Sequence, residues 1–138
     1  MIRSFKDNYR FLSNFWPAPV ELDGMLYPSV ENAYQAAKTL SEGERDAFLT
    51  ATPGKAKKLG RRLKIRSDWE SVKISIMRDL LEKKFQYKAL RALLIATGET
   101  PIEEGNTWGD TFWGVYRGVG ENHLGKLLME IREQMLRK

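Results

Sequence analysis

A short helix is predicted for the segment that organises the chain, Tyr27-Pro28-Ser29-Val30-Glu31-Asn32-Ala33-Tyr34-Gln35-Ala36-Ala37-Lys38. Pro28 stands just before the first turn, and Ser29 is a good N-cap because its hydroxyl can accept a backbone N–H of that turn. The alanines at positions 33, 36 and 37 have high helix propensity and leave room for another backbone to approach.

One face of this predicted helix carries polar groups. At 100° per residue, Glu31, Gln35 and Lys38 fall within about 60° of one another, with Tyr34 beside them. Two interpretations follow. The face is solvated, with Glu31 and Lys38 placed to suit the helix dipole, or it lines a pocket. In a pocket Glu31 would act as acid or base, and Lys38 as nucleophile or anion clamp.

The length of 138 residues predicts a single domain, 1–138, with one hydrophobic core. Hydrophobic residues make up 42% of the chain, which is typical of a soluble globular protein. No apolar run approaches the ~20 residues that span a bilayer, and the first residues lack the apolar core of a secretory signal. We therefore expect a cytoplasmic protein with no membrane partner.

The chain contains no cysteine and one histidine, His123. Disulfides, thiolate nucleophiles and zinc sites built on cysteine are therefore excluded, and a histidine-based metal site is disfavoured. Acid–base chemistry would fall to carboxylates, Lys, Tyr or Arg, and we expect no metal and no cofactor.

The formal net charge is +5, and much of the excess lies in residues 55–66. This basic stretch is either a solvated helix face or a patch that attracts phosphate groups, and the sequence leaves both open.

The remaining patterns predict one compact α+β domain that is mostly helical. Asp23-Gly24 between two short β-like arms predicts a hairpin, whereas residues 10–17 suit an extended or looped wall. Thr52 and Pro53 begin a basic helix that runs to about Arg62. Further helices are expected over 44–51, 69–87, 88–97 and 122–138, and short strands or a structured loop over 107–116. Two apolar rows on the 69–87 helix predict burial over most of its circumference, and Ser67 or Asp68 is its expected cap.

Three separated stretches together resemble the NADAR family, also called YbiA-like. They are Phe11-Leu12-Ser13-Asn14-Phe15, the segment 27–38, and Trp108-Gly109-Asp110-Thr111-Phe112-Trp113-Gly114. The resemblance covers nearly the whole chain. Departures are small: Asn32 stands where the family often has His, and an extra Trp108 precedes Gly109.

This resemblance implies a predominantly helical, single-domain YbiA-like fold, with a short N-terminal hairpin and small strands packed on a helical core. It also implies an N-glycosidase acting on N-ribosides. The substrate would be a ribosylaminopyrimidine phosphate of riboflavin biosynthesis or an ADP-ribosyl-guanine adduct on DNA or RNA. The family's functional carboxylates match Glu31 and Asp110, its indole matches Trp69, and its lysine matches Lys38.

Cleavage of an N-riboside requires positive charge to be stabilised at the anomeric carbon and a protonated leaving base. Glu31 and Asp110 can divide these tasks if their environments differ. The resemblance favours a route through a Schiff base on Lys38. We expect Glu31, Lys38, Trp69 and Asp110 to converge on one pocket.

Other side chains are candidates for substrate binding, and each has a structural alternative. Trp69 stacks on a base or belongs to the core, and the glycines beside Trp113 suit a pocket wall. The remaining candidates for substrate contact are Asn14, Tyr34 and Gln35. Asn122 is predicted as the N-cap of the last helix, with contact to the site as its alternative, and His123 as a first-turn surface residue rather than a catalytic one.

The alternative function is a non-catalytic module that binds a nucleotide, ADP-ribose or nucleic acid through residues 55–66 and the tryptophans. No oligomeric state is predicted.

Overall fold

The computed structural model describes residues 1–137. It contains α-helices, two short 3-10 helices and two small two-stranded sheets. The α+β prediction with helices predominating is therefore confirmed. The chain forms two compact units, residues 14–86 and residues 1–13 together with 87 onward. A single domain over 1–138 stays a prediction.

The unit of residues 14–86 begins with the predicted hairpin. Strand β1 (Val20–Leu22) pairs antiparallel with β2 (Met25–Tyr27), and Leu22 lies opposite Met25. Asp23 and Gly24 both have positive φ, 48° and 87°, which is the geometry of a two-residue turn that matches strand twist. The hairpin predicted from Asp23-Gly24 is confirmed.

Helix α1 (Val30–Ala36) is buried along its whole length. Ser29 Oγ accepts the backbone N–H of Asn32 at 3.1 Å, so the predicted N-cap is confirmed. Helix α1 packs against α3 (Pro53–Gly60) and α4 (Trp69–Lys84). The helix ends at Ala36 with Ala37 as its C-cap, so the expectation that Lys38 lies within the helix is wrong: it follows the end.

Between α1 and α3 the chain forms α2 (Glu42–Arg45) and a 3-10 helix, Asp46–Leu49. Thr52 caps α3 by accepting the backbone N–H of Lys55 at 3.2 Å, as predicted. Asp68 stands at the N-cap position of α4 but makes no side-chain cap bond there, because its carboxylate pairs with Arg66.

Helix α4 is less enclosed than its two apolar rows predict. Met77, Leu80 and Leu81 are fully buried, whereas Ile74 is 36% exposed, and Val72 and Ile76 are half-buried. Its exposed side therefore extends further round the helix than expected. The helix also ends at Lys84, three residues before the predicted end.

The second unit contains a 3-10 helix, two α-helices and the second sheet. The 3-10 helix spans Asp7–Leu12, so the expectation of an extended wall from residue 10 is wrong for its first part. Helix α5 (Lys88–Ala96) ends within one residue of the predicted bound and is followed by Gly98 at φ 62°. Strand β3 (Gly105–Asn106) pairs in parallel with β4 (Val115–Tyr116), and α6 (His123–Leu136) buries an apolar stripe that runs from Leu124 to Met135. Within residues 1–137 no helix combines the length and apolar character needed to cross a bilayer.

Candidate active site

Glu31 lies in the first turn of α1 and is only 8% exposed. Its Oε2 accepts a hydrogen bond from Gln35 Nε2 at 2.7 Å, one helical turn along. Its backbone N–H donates to the carbonyl oxygen of Asn14 at 3.0 Å. Tyr34 and Gln35 are buried as well. The solvated-face interpretation is therefore wrong for these three residues.

Lys38 places an amine close to this buried carboxylate. Burial lowers the pKa of the Lys38 ammonium, and the negative charge of Glu31 acts in the opposite direction. Positive charges on Arg61, Lys73 and Lys57 lower the pKa further. Lys38 Nζ lies 5.7 Å from the centroid of the Tyr34 ring. Lys38 is thus a half-buried amine with a reduced cost of losing its proton.

The backbone of Lys38 is hydrogen-bonded to the segment that precedes α4. Its carbonyl oxygen accepts the backbone N–H of Arg66 at 2.8 Å. Arg66 is in turn held by the carboxylate of Asp68, with nitrogen–oxygen distances of 2.6 and 3.0 Å. The turn that carries Lys38 is therefore tied to the start of α4, although it lies outside any helix.

Tyr34 and Trp69 form an aromatic pair beside Lys38. Their ring centroids are 5.2 Å apart, with the planes tilted by 54°. Each residue is 6% exposed, so this pair belongs to the buried part of the unit. The core alternative for Trp69 is therefore what its burial favours, and stacking of Trp69 on a base stays a prediction.

Asn14 and Gln35 are buried amides whose donors have partners within the same unit. Asn14 Nδ2 donates to Met77 Sδ at 3.5 Å, and Gln35 Nε2 donates to Glu31. Among residues 1–137 no donor reaches Asn14 Oδ1 or Gln35 Oε1. The sequence predicted contact with substrate for Gln35. Its observed partner is Glu31, as the spacing of four residues allows.

Asp110 and Trp113 belong to the other unit and are described there. Asp110 Oδ1 accepts the backbone N–H groups of Phe112 at 3.1 Å and Trp113 at 2.9 Å. The side-chain amide of Asn106 donates to the backbone carbonyl oxygen of Asp110 and accepts its backbone N–H. Asp110 thus orders the glycine- and aromatic-rich loop through one carboxylate oxygen. The convergence of Asp110 with Glu31 stays a prediction.

The ring of Trp113 packs edge-on against Phe112, with centroids 4.9 Å apart and an interplanar angle of 88°. The Phe112 ring also lies 4.4 Å from that of His123. Trp113 therefore forms part of an aromatic cluster at the start of α6, and its contact with substrate stays a prediction.

Asn122 stands at the N-cap position of α6 but does not cap it with its side chain. It adopts a left-handed backbone at φ 55°, and its Nδ2 donates to the carbonyl oxygen of Ile102 at 2.9 Å. Its Oδ1 accepts the backbone N–H of Glu104 at 3.0 Å. The predicted N-cap position is confirmed, but the side-chain cap bond is absent, because partners distant in sequence take both ends of the amide.

Two features of the unit that contains Lys38 were missed in the sequence. Lys73 lies on α4, outside the basic stretch 55–66, yet its charge acts on Lys38 together with those of Lys57 and Arg61. Asn32 is fully buried and donates to the carbonyl oxygens of Phe48 and Ala51 at 2.9 and 2.7 Å. In residues 1–137 no group of three or more His, Cys, Asp or Glu side chains is placed to hold a metal.

The chain is similar in sequence to a known protein family and to several of its members. The NADAR domain family model matches residues 2–136. N-glycosidase YbiA of Escherichia coli (strain K12) is 43% identical over 137 residues, covering 96% of this chain and 85% of the relative. An N-glycosidase of Nostoc punctiforme is 39% identical, covering 92% and 86%.

A riboflavin biosynthesis protein of Vibrio vulnificus is 35% identical over 94% of this chain, which corresponds to 36% of that protein. The NMR structure of E. coli YbiA superposes with a TM-score of 0.84 at 40% identity, covering 99% of this chain and 83% of that one. The resemblance seen in the sequence is confirmed.

Proposed function

This chain belongs to the NADAR family and is a hydrolase of N-glycosyl bonds, and we propose that it releases the base from a phosphorylated N-riboside through an imine on Lys38. The first candidate substrate is a free ribosylaminopyrimidine phosphate, which the name of the Vibrio vulnificus relative favours. The second is an ADP-ribosyl-guanine adduct on nucleic acid. Both would present a ribosylated base and phosphate groups.

The observation that carries the proposal is the environment of Lys38. A lysine is a useful nucleophile only when its amine is neutral, and burial together with neighbouring cations favours that form. Burial is the largest cause of the lowered pKa of Lys38, and the positive charges of Arg61, Lys73 and Lys57 lower it further. The same three cations would attract the phosphate of the substrate towards the amine.

The reaction proceeds in balanced steps. The neutral amine of Lys38 attacks the anomeric carbon, and the electron pair of the bond between that carbon and the base leaves with the base. A carboxylic acid group protonates the departing base, and the carboxylate that remains takes a proton from the new ammonium nitrogen. The bond between the anomeric carbon and the ring oxygen then breaks, this proton passes to the oxygen, and the nitrogen lone pair forms a protonated imine on Lys38. Water then adds to the protonated imine, the bond between the carbon and the Lys38 nitrogen breaks, and the proton released restores the carboxylic acid, leaving the free sugar and the neutral amine. One water molecule is consumed for each N-glycosyl bond.

Glu31 and Asp110 are the proposed acid–base groups. Glu31 is buried and hydrogen-bonded by an amide, whereas Asp110 has one oxygen committed to two backbone N–H groups. Two carboxylates in unlike surroundings suit a division into one proton donor and one ionised group. Their assignment to these tasks is part of the proposal.

The test is an incubation of the protein with both candidate substrates, followed by mass spectrometry of the products and of the protein. Borohydride added during turnover should fix a sugar adduct on Lys38. Lys38→Ala should lose the adduct and most of the turnover. Lys38→Arg is the matched control because it keeps the charge but cannot form the imine. Near-normal turnover in Lys38→Arg would reduce Lys38 to a charge clamp.

A further inference from the structure

The side chain of Gln35 has two ends with different surroundings. Its Nε2 donates to Glu31 Oε2 at 2.7 Å. A carboxylate can only accept hydrogen bonds, so the amide must present its NH₂ group to Glu31 and turn its oxygen the other way. That oxygen is buried and receives no hydrogen bond from any donor in residues 1–137.

The amide oxygen of Gln35 lies against the last residue of α3, Gly60. Gly60 is buried, and a Cβ placed on it would overlap Gln35 Oε1 outright and would lie 2.8 Å from Gln35 Cδ. Real Cβ atoms do not approach other heavy atoms so closely. The orientation of the Gln35 amide therefore depends on the absence of a side chain at position 60.

The end of α3 around Gly60 is connected both to Lys38 and to Glu31. Lys57 lies one helical turn before Gly60 on α3, Arg61 directly follows Gly60 as the C-cap, and the charges of both act on Lys38. The close approach that Gly60 permits thus brings these cations near the amine and also holds the amide that binds Glu31.

We propose that Gly60 is a positioning residue for the reaction, which acts by leaving the space that Gln35 needs to hold the Glu31 carboxylate. The expected effect of Gly60 on turnover rests on the proposed function. Its structural part, the orientation of Gln35 and Glu31, does not depend on that function.

The test compares Gly60→Ala with Gly54→Ala. Both substitutions add one methyl group to α3, but a Cβ at Gly54 meets nothing within 4 Å. We expect Gly60→Ala to lower kcat/KM by about tenfold to a hundredfold, chiefly through kcat, because small displacements of reacting groups are costly. Gly54→Ala should leave kcat/KM unchanged.

A measurement independent of turnover is the ¹³C NMR titration of the Glu31 carboxyl carbon. The amide of Gln35 stabilises the ionised carboxylate, so its displacement in Gly60→Ala should move protonation of Glu31 to higher pH. Glu31 and Lys38 act on each other, and the other charges that act on Lys38 are those of Arg61, Lys73 and Lys57; neither glycine variant alters any of them. An unshifted titration in folded Gly60→Ala would overturn the proposal.

A double-mutant cycle covers the case in which Gly60→Ala folds poorly. Gln35→Ala removes the two atoms closest to the added methyl group and leaves only its Cβ, 3.4 Å away. In the Gln35→Ala background, Gly60→Ala should therefore have little further effect on stability or on the Glu31 titration. Full additivity would overturn the proposal, because Gly60 would then act without Gln35. A shifted titration with unchanged kcat would instead support the positioning and remove Glu31 from the proposed chemistry.

Discussion

Lys84 is the last residue of α4 and is fully buried. Its Nζ lies 5.2 Å from the centroid of the Phe85 ring. Burial lowers the pKa of the Lys84 ammonium from 10.5 to about 7. We expect the substitution Lys84→Met, which keeps the length of the side chain and removes the amine, to change how stability depends on pH.

The size of the effect follows from proton linkage. Between pH 7 and about pH 10.5 the unfolded chain holds the Lys84 proton and the folded chain does not. Well above pH 7, each pH unit in this range therefore adds about 1.4 kcal/mol to the free energy of unfolding. The gain from pH 7 to pH 9 is about 2 kcal/mol, because at pH 7 the folded chain is only half deprotonated. Below pH 7 both states carry the proton, and the contribution stays at its lower level.

The assay is urea unfolding at several pH values from 6 to 9 for the wild type and for Lys84→Met. The difference between the two curves isolates Lys84, because other titrating groups cancel. Lys83→Met is the matched control: Lys83 pairs with Asp79 and Glu21, which raises its pKa, so it stays charged across this range. Parallel curves for wild type and Lys84→Met would refute the reasoning from burial.

Three further predictions concern the site and its supports. Replacing Lys57 and Arg61 by Gln should raise KM several-fold at low salt and flatten its salt dependence with little change in kcat. Lys58→Gln, an exposed neighbour on the same helix, should have no such effect. If the double variant changed KM and its salt dependence no more than Lys58→Gln does, all three residues would belong to a solvated face. Ser29→Ala should lower the free energy of unfolding by about 1 kcal/mol in a urea titration, because α1 loses its N-cap. Asp110→Asn keeps an oxygen for the two backbone N–H groups of its loop, so it should retain the thermal midpoint while turnover falls about a hundredfold or more. Normal turnover in that variant would remove Asp110 from the chemistry.

Local chemistry accounts for the parts of the fold that the sequence predicted well. Asp23-Gly24 specifies the hairpin because both residues tolerate positive φ. Ser29 and Thr52 mark helix starts because a hydroxyl satisfies a free N–H of the first turn. These signals act over three or four residues, so they are legible without knowledge of the tertiary structure.

The contacts that the sequence did not predict involve partners far along the chain. Asn122 has the composition of an N-cap, yet its amide binds backbone groups of Ile102 and Glu104. The contribution of Lys73 to the field at Lys38 depends on how α4 packs against α1, which no local pattern encodes. The same holds for Gln35, whose position follows from the close approach of Gly60. Long-range packing overrides local propensity at these positions.

The hydrogen bond from the Arg66 N–H to the carbonyl oxygen of Lys38 has a consequence for sequence variation. It fixes how many residues can separate the end of α3 from the start of α4, because one extra or missing residue before Arg66 would break the bond or displace Lys38. Insertions in related chains should therefore be rare between positions 61 and 66. The exposed residues 41–44 at the start of α2 offer a more permissive place for them.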